Sequence, residues 1–322
     1  MARDGKSLLK MGCLGCAGVV GVIVLVFAVL GAVALTQVSG EEIAQATLSH
    51  ELPQSAAVGG EPLADSPVDV AAPGDPAEVA AVARVLLDIK NADVYLKRGL
   101  AGQAPTVEAT YDERYYTLEQ KPSPNDEGVP TWHVWFRRTG GHGGAMALMR
   151  RMMGASNPEI NVYLPPDIPL ALHGNFESGA TTGDIGGMQI TELVIELASG
   201  ALILDISEPS LPMERFEVDV RQAGMTLGSI GNASPRIVDI DLTMAGGVFD
   251  MSGAWRQGAE LSFEAKHSGG LLVLPRNVDT DGLEQIEGFE RLSRPAAEIP
   301  GPLLRFDVET SGFGKLELAY DN

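Results

Sequence analysis

ELASGALILDI, residues 196–206, holds two strand-like runs around a two-residue hinge, Ser199-Gly200. Leu193, Ile195 and Leu197 alternate with polar residues before the hinge, and Leu202-Ile203-Leu204 follows it. The same small-residue–glycine step returns at Ser178-Gly179, Ala223-Gly224, Ala245-Gly246, Ser268-Gly269 and Ser311-Gly312. The glycines Gly179, Gly200, Gly224, Gly246, Gly269 and Gly312 lie 21, 24, 22, 23 and 43 residues apart. A fixed period in the twenties is the mark of a solenoid.

The apolar pattern keeps the same period. Phe216, Val218 and Val220 precede Gly224; Val238, Ile240 and Leu242 precede Gly246; Leu261, Phe263 and Ala265 precede Gly269; Leu304, Phe306 and Val308 precede Gly312. Each trio stands 8, 6 and 4 residues before its glycine, and the trio before Gly200 sits one residue closer. Strict alternation means that each strand buries one face and wets the other. The coil therefore reads as strand, tight corner, strand, loop. Glycine at the corner supplies backbone angles that a side chain would forbid. The fold class is all-β, a β-solenoid with rungs of about 22 residues. Stacked rungs share one continuous core, which no single rung can build.

The 43-residue step predicts an insert at 275–301, where Leu283, Ile286, Phe289 and Leu292 suggest a short helix. Upstream, residues 84–99 look like another strand–corner–strand unit, with Asn91-Ala92 at the bend. Residues 106–120 and 132–138 read as longer strands, a hairpin around KPSPNDEG (121–128) that caps the first rung. Residues 140–158 interrupt with a methionine stripe, Met146, Met149, Met152 and Met153, on a short helix that plugs the core. The whole solenoid domain is expected over 79–322.

Residues 11–35 carry no charge. A helix of that length is roughly 37 Å long and crosses a hydrocarbon core of about 30 Å. Arg3, Lys6 and Lys10 precede it, and Glu41 and Glu42 are the first charges after it. Positive charge stays inside, so residues 1–10 are expected to be a cytoplasmic tail and the main domain extracytoplasmic. A cleaved signal peptide ending near Ala32-Val33-Ala34 is the other reading, and it exports the main domain equally. Cys13 and Cys16 sit at the start of this span, without the partners a metal or disulfide framework needs. Cys13, Ala17 and Gly21 form a small-residue face, which offers self-association through the helix. Residues 36–78, with Pro53, Pro62, Pro67, Pro73 and Pro76, read as a flexible, disordered linker.

The chain has 322 residues, 45% hydrophobic, with 38 glycines and a formal net charge of −20. Such acidity argues against nucleic acid as a partner, because duplex binding needs a basic footprint. Anionic lipid headgroups would likewise repel the exported part. The five histidines, His50, His133, His142, His173 and His267, show no metal spacing. No nucleophile elbow or phosphate loop is present. Asn277, Asp279, Asp281 and Gly282 imitate a calcium loop, but residue 288 is Gly where the bidentate acid belongs. No cofactor and no catalytic or metal residue is assigned.

One constellation follows from the register. Asp219, Asp241, Glu264 and Asp307 each stand five residues before a corner glycine. Stacked rungs would line them up about 4.8 Å apart as a column facing a cation or a basic partner, or simply a solvated acidic face. An acid pair on a β-helix also suits a polysaccharide-active enzyme, but nothing singles out two carboxyls in different environments.

The recurrent Ser-Gly corners, the N-terminal anchor and the segment NVYLPPDIPLAL (161–172) resemble the bacterial putative-adhesin family of unknown function, the toast-rack-related exported domains. The resemblance covers about residues 80–322 and implies a right-handed parallel β-helix. It also implies a non-catalytic role in adhesion or surface architecture, with an unknown protein or glycan at the cell envelope as partner. An envelope-stress sensor ectodomain is the alternative that the resemblance brings with it.

Overall fold

Leu193, Ile195 and Leu197 are each at most 1% exposed, while Glu192, Val194 and Glu196 between them reach solvent. That alternation recurs in β2, β4, β7, β11, β12 and β14. A computed structural model describes residues 44–49, 83–124, 129–139, 157–276, 278–284, 286, 301–313 and 315–321. The described part is all-β, apart from one 3-10 turn at Ile230–Asn232.

The strands are β1 (Ala44–Ser49), β2 (Ala83–Ile89), β3 (Asp93–Arg98), β4 (Thr106–Tyr111), β5 (Tyr116–Pro124), β6 (Pro130–Arg138), β7 (Glu159–Leu164), β8 (Leu170–Phe176) and β9 (Ala180–Asp184). Two long strands follow, β10 (Ile190–Asp205) and β11 (Arg215–Gly228). The rest are β12 (Ile237–Thr243), β13 (Gly246–Asp250), β14 (Ala259–Lys266), β15 (Gly269–Leu274), β16 (Asp279–Asp281), β17 (Leu303–Ser311) and β18 (Leu316–Tyr320).

They pair in two ladders. The first runs β5–β6–β2–β8–β10–β11–β12–β14–β17, with β16 added to the start of β17. The second runs β1–β4–β7–β3–β9–β10–β11–β13–β15–β18. β10 and β11 serve both ladders, because their backbones continue through the corner. All pairings are parallel except β5–β6, β1–β4 and β4–β7, which lie at the N-terminal end.

The inward rows of both ladders meet in one core. Val218 faces Ile240 and Ile240 faces Phe263 in register. Phe249 of the second ladder packs edge-on against Phe263 of the first at 5.7 Å between centroids. Burial of large apolar side chains on this scale is the main favourable term in folding. At the N-terminal end Phe136 stacks on Tyr116 at 5.1 Å and meets Tyr111 edge-on at 5.3 Å. Among the described residues β5 pairs only with β6, and it carries Lys121, Pro122 and Pro124. Proline and lysine suit an edge strand, since proline has no amide to offer a neighbour.

Turns follow β9, β10, β11 and β13. Ile185, Ile206, Ile230 and Met251 are buried there. Asn232 ties successive turns together: its side-chain amide donates to the Ile206 carbonyl at 2.7 Å, and its oxygen accepts from the Ala254 amide at 3.1 Å. Ser234 Oγ accepts from the Arg256 and Gln257 amides.

Several expectations change. Gly179, Gly200 and Gly312 do adopt left-handed φ angles of 120°, 122° and 82°. Gly224, Gly246 and Gly269 do not; before Gly246 and Gly269 the left-handed residues are Met244 and His267, two positions earlier. Those corners turn before their glycine. Gly200 also stands opposite Ala223 rather than Gly224. The strand expected over 106–120 is two strands, broken where the Asp112 carboxylate accepts from the Arg114 amide at 3.1 Å. Within the expected linker, Ala44–Ser49 pairs antiparallel with β4. In the expected 275–301 insert, Asp279–Asp281 is a strand on β17, while β14 pairs directly with β17. No helix among the described residues is long and apolar enough to cross a membrane. The expected span at 11–35 and the methionine-rich 140–156 lie outside the described residues, as do Phe289 and Leu292 of the expected helix.

Candidate functional site

The outward face of the first ladder carries the acid row. Asp219 faces Asp241, and Asp241 faces Glu264, on neighbouring parallel strands. Glu196 faces Asp219 and extends the row by one strand. The fourth member is not Asp307, which stands opposite Ser262; Glu309 stands opposite Glu264. The shift has a physical cause. Lys266 pairs with Ser311, and the His267 amide donates to the Ser311 carbonyl, which sets Gly312 beside His267 rather than beside Gly269. Counting back from the glycine therefore lands two residues early in the last rung.

Cations on the same strands blunt part of the row. Arg221 lies 3.5 Å from Asp219, and Lys266 lies 2.6 Å from Glu264, each two residues further along. Asp241 has Thr243 in that place. Its pKa is raised above the ordinary aspartate value, first by burial and then by the charges of Asp239, Glu264 and Asp219, with Lys266 opposing. No group of three or more histidine, cysteine, aspartate or glutamate side chains among the described residues is placed to hold a metal. Asp279 and Asp281 lie in the extended backbone of β16, not in a calcium-type loop.

The histidines are dispersed. His133 stacks on Trp135 at 3.6 Å between centroids, and burial lowers its pKa, with Asp88 opposing and Arg137 assisting. His173 Nε2 lies 3.6 Å from Glu192 Oε1 on the next strand. His267 occupies a corner. His50 and His142 lie outside the described residues.

A second candidate was not anticipated. A cleft of about 280 Å³ opens beside the ends of three strands, lined by Leu96, Lys97 and Arg98 at the end of β3, Asp184 and Gly186 at and after the end of β9, and Ser207 and Glu208 after β10. The Asp184 carboxylate accepts from Ser207 Oγ at 2.5 Å and from the Gly186 and Ser207 amides at 2.9 and 3.2 Å. Burial works against its charge. The hydrogen bonds from Ser207 and the two amides, with the charge of Arg98, nevertheless hold its pKa below the ordinary value. Arg98 Nη1 pairs with Glu208 Oε2 at 3.3 Å. The cleft thus mixes anion and cation, built from residues more than a hundred positions apart. One sequence signal was available: Asp184-Ile185, Asp205-Ile206 and Asp250-Met251 place an acid before a buried apolar residue at three of the turns after β9, β10, β11 and β13, with Ser229 before Ile230 at the other.

These features define an all-β protein with a large, mostly parallel sheet that displays polar rows and one polar cleft. No protein-family model matches the chain, and no curated protein shows significant similarity to it. Among solved structures it is similar to a putative cell adhesion protein from Clostridium sporogenes, at 12% identity and a TM-score of 0.36, over 87% of this chain and 100% of that one. It is also similar to putative adhesins from Parabacteroides distasonis and Parabacteroides merdae. Their identities are 11% and 9%, their TM-scores 0.25 and 0.23, with 86% and 87% of this chain and 97% of each neighbour covered.

Proposed function

We propose that this chain is a membrane-anchored, exported β-solenoid that works by non-catalytic binding at the cell envelope. The carrying observation is the constant register of the first ladder from β10 to β17, which lines up outward side chains of one row across neighbouring coils. A stacked coil has little freedom to close around a substrate, yet it presents straight rows of side chains at fixed spacing. That geometry suits recognition of an extended partner, a protein or a glycan. Residues 11–35 would hold the N-terminus in the cytoplasm and the ladders outside, and their small-residue face would allow self-association. The acid row is the face for a cation or a basic partner segment, and its like charges are relieved when such a partner docks.

Retention of intact cells on a surface tests this reading. Cells lacking the gene should detach more readily, and the full chain supplied in trans should restore retention. Unchanged retention with and without the chain would refute an adhesive role.

A further inference from the structure

We infer that the cleft beside Asp184 and the tyrosine surface bordering it form a subsite for a neutral, hexose-based glycan. This inference rests on the binding role proposed above and names the chemistry of its ligand.

The second ladder supplies the surface. Tyr95 of β3 and Tyr163 of β7 point outward on adjacent parallel strands, with Tyr95 opposite Asn161 and Lys97 opposite Tyr163. Lys97 Nζ lies 5.5 Å from one ring centroid and 5.7 Å from the other, so one cation bridges both rings. On the other side of β3, Thr182 stands opposite Tyr95. Asp184 follows two residues later, where the cleft begins. The tyrosines and the cleft are therefore one continuous surface.

Three properties match a neutral sugar. Tyrosine offers an apolar ring with a polar tip, which suits a pyranose with its C–H faces and hydroxyl rim. Each sugar hydroxyl both donates and accepts, and the surface interleaves donors on Lys97 and Arg98 with acceptors on Asp184 and Glu208. The Asn161 side-chain oxygen beside Tyr95 makes no hydrogen bond and is covered, so a sugar hydroxyl reaches it once the overlying side chains shift. Pockets of this kind use a few convergent polar groups to orient a ligand against an aromatic wall. Acidic sugars fit less well. Tyr163 donates to Glu108 Oε2 at 3.0 Å, so that rim is already acidic, and the chain as a whole carries −20. A uronate or sulfate would approach against that field.

Affinity gel electrophoresis of the full chain tests the inference. The gels carry galactomannan, xyloglucan or hydroxyethylcellulose as neutral polymers, and polygalacturonate or heparin as anionic ones. At least one neutral polymer should retard the chain, and neither anionic polymer should. Tyr95→Ala and Lys97→Met should each weaken retardation about tenfold or more, a change of roughly 1.4 kcal/mol. Trp135→Ala, on the outward face of the other ladder, should leave it unchanged. Thermal melting of each variant separates lost binding from lost fold. If no neutral polymer retards the chain, or if Tyr95→Ala and Lys97→Met both bind as the parent does, the inference is wrong. Cell retention that needs the chain but ignores both substitutions would overturn the glycan subsite and leave adhesion standing. Retention independent of the chain would overturn adhesion itself, whatever the gels show.

Discussion

Asp219 and Asp241 stand directly opposite each other on neighbouring parallel strands, with Glu264 opposite Asp241 on the far side. Like charges in such positions cost about 0.2–1 kcal/mol each, less where water screens them. The pKa of Asp241 is raised first by burial and then by the charges of Asp239, Glu264 and Asp219. A carboxyl whose folded pKa exceeds its unfolded value favours folding when protonated, and that contribution is lost as pH rises through the folded value. Asp241→Asn should therefore stabilise the protein by a few tenths of a kcal/mol at pH 7. The gain should vanish below the ordinary aspartate range. Urea unfolding at pH 7 and pH 3 measures both.

Asp184 should behave in the opposite sense. Its lowered pKa makes a contribution that is present above the unfolded value and lost as pH falls through the folded one. Asp184→Ala removes the acceptor for Ser207 and two amides. A typical hydrogen bond contributes about 0.5–1.5 kcal/mol, and water can replace those from the exposed Ser207. The variant should be destabilised by that order at pH 7, with the difference narrowing in acid.

Gly200 and Gly224 separate a required glycine from an incidental one. A Cβ at Gly200 would overlap the Gly179 carbonyl oxygen, and its φ of 122° is unfavourable for any side chain. Gly200→Ala should cost about 2 kcal/mol or more, or abolish folding. A Cβ at Gly224 meets nothing within 4 Å. Gly224→Ala should stay within about 0.5 kcal/mol of the parent, as an ordinary surface change does. Thermal melting of the two variants side by side is the measurement.

Asn232 is the tie between turns. Asn232→Ala would release the Ile206 carbonyl and the Ala254 amide together. A loss of about 1–3 kcal/mol is expected, and hydrogen exchange should rise at the turns around 206 and 254.

The inward rows were legible because strand periodicity is two and the buried residues are large: Phe216, Val238 and Phe263 announce their face without help. The corner was legible only as a recurrence. Its glycine is not always its left-handed residue, so Met244 and His267 turn the chain where Gly246 and Gly269 were expected to. That displacement exchanged Glu309 for Asp307 in the acid row. β1 was unreadable for another reason. Ala44, Gln45, Ala46 and Ser49 have little strand propensity, and their pairing depends on the edge that β4 offers. The cleft could not be read from local pattern at all, since Arg98, Asp184 and Ser207 come from three separate coils. Only the Asp-Ile step at 184 and 205 marks two of the turns that line it.

The in-line stacking of coils is tested most directly by spin labels placed in pairs along one outward row. With one label at residue 196 and the second at 241, 264 or 309, the backbone separations should climb through about 10, 14 and 19 Å, in equal steps of one strand spacing. Distances measured by electron paramagnetic resonance that rise in that order would support the account. Distances that scatter, or a label at 309 lying nearer to 196 than one at 241, would contradict it.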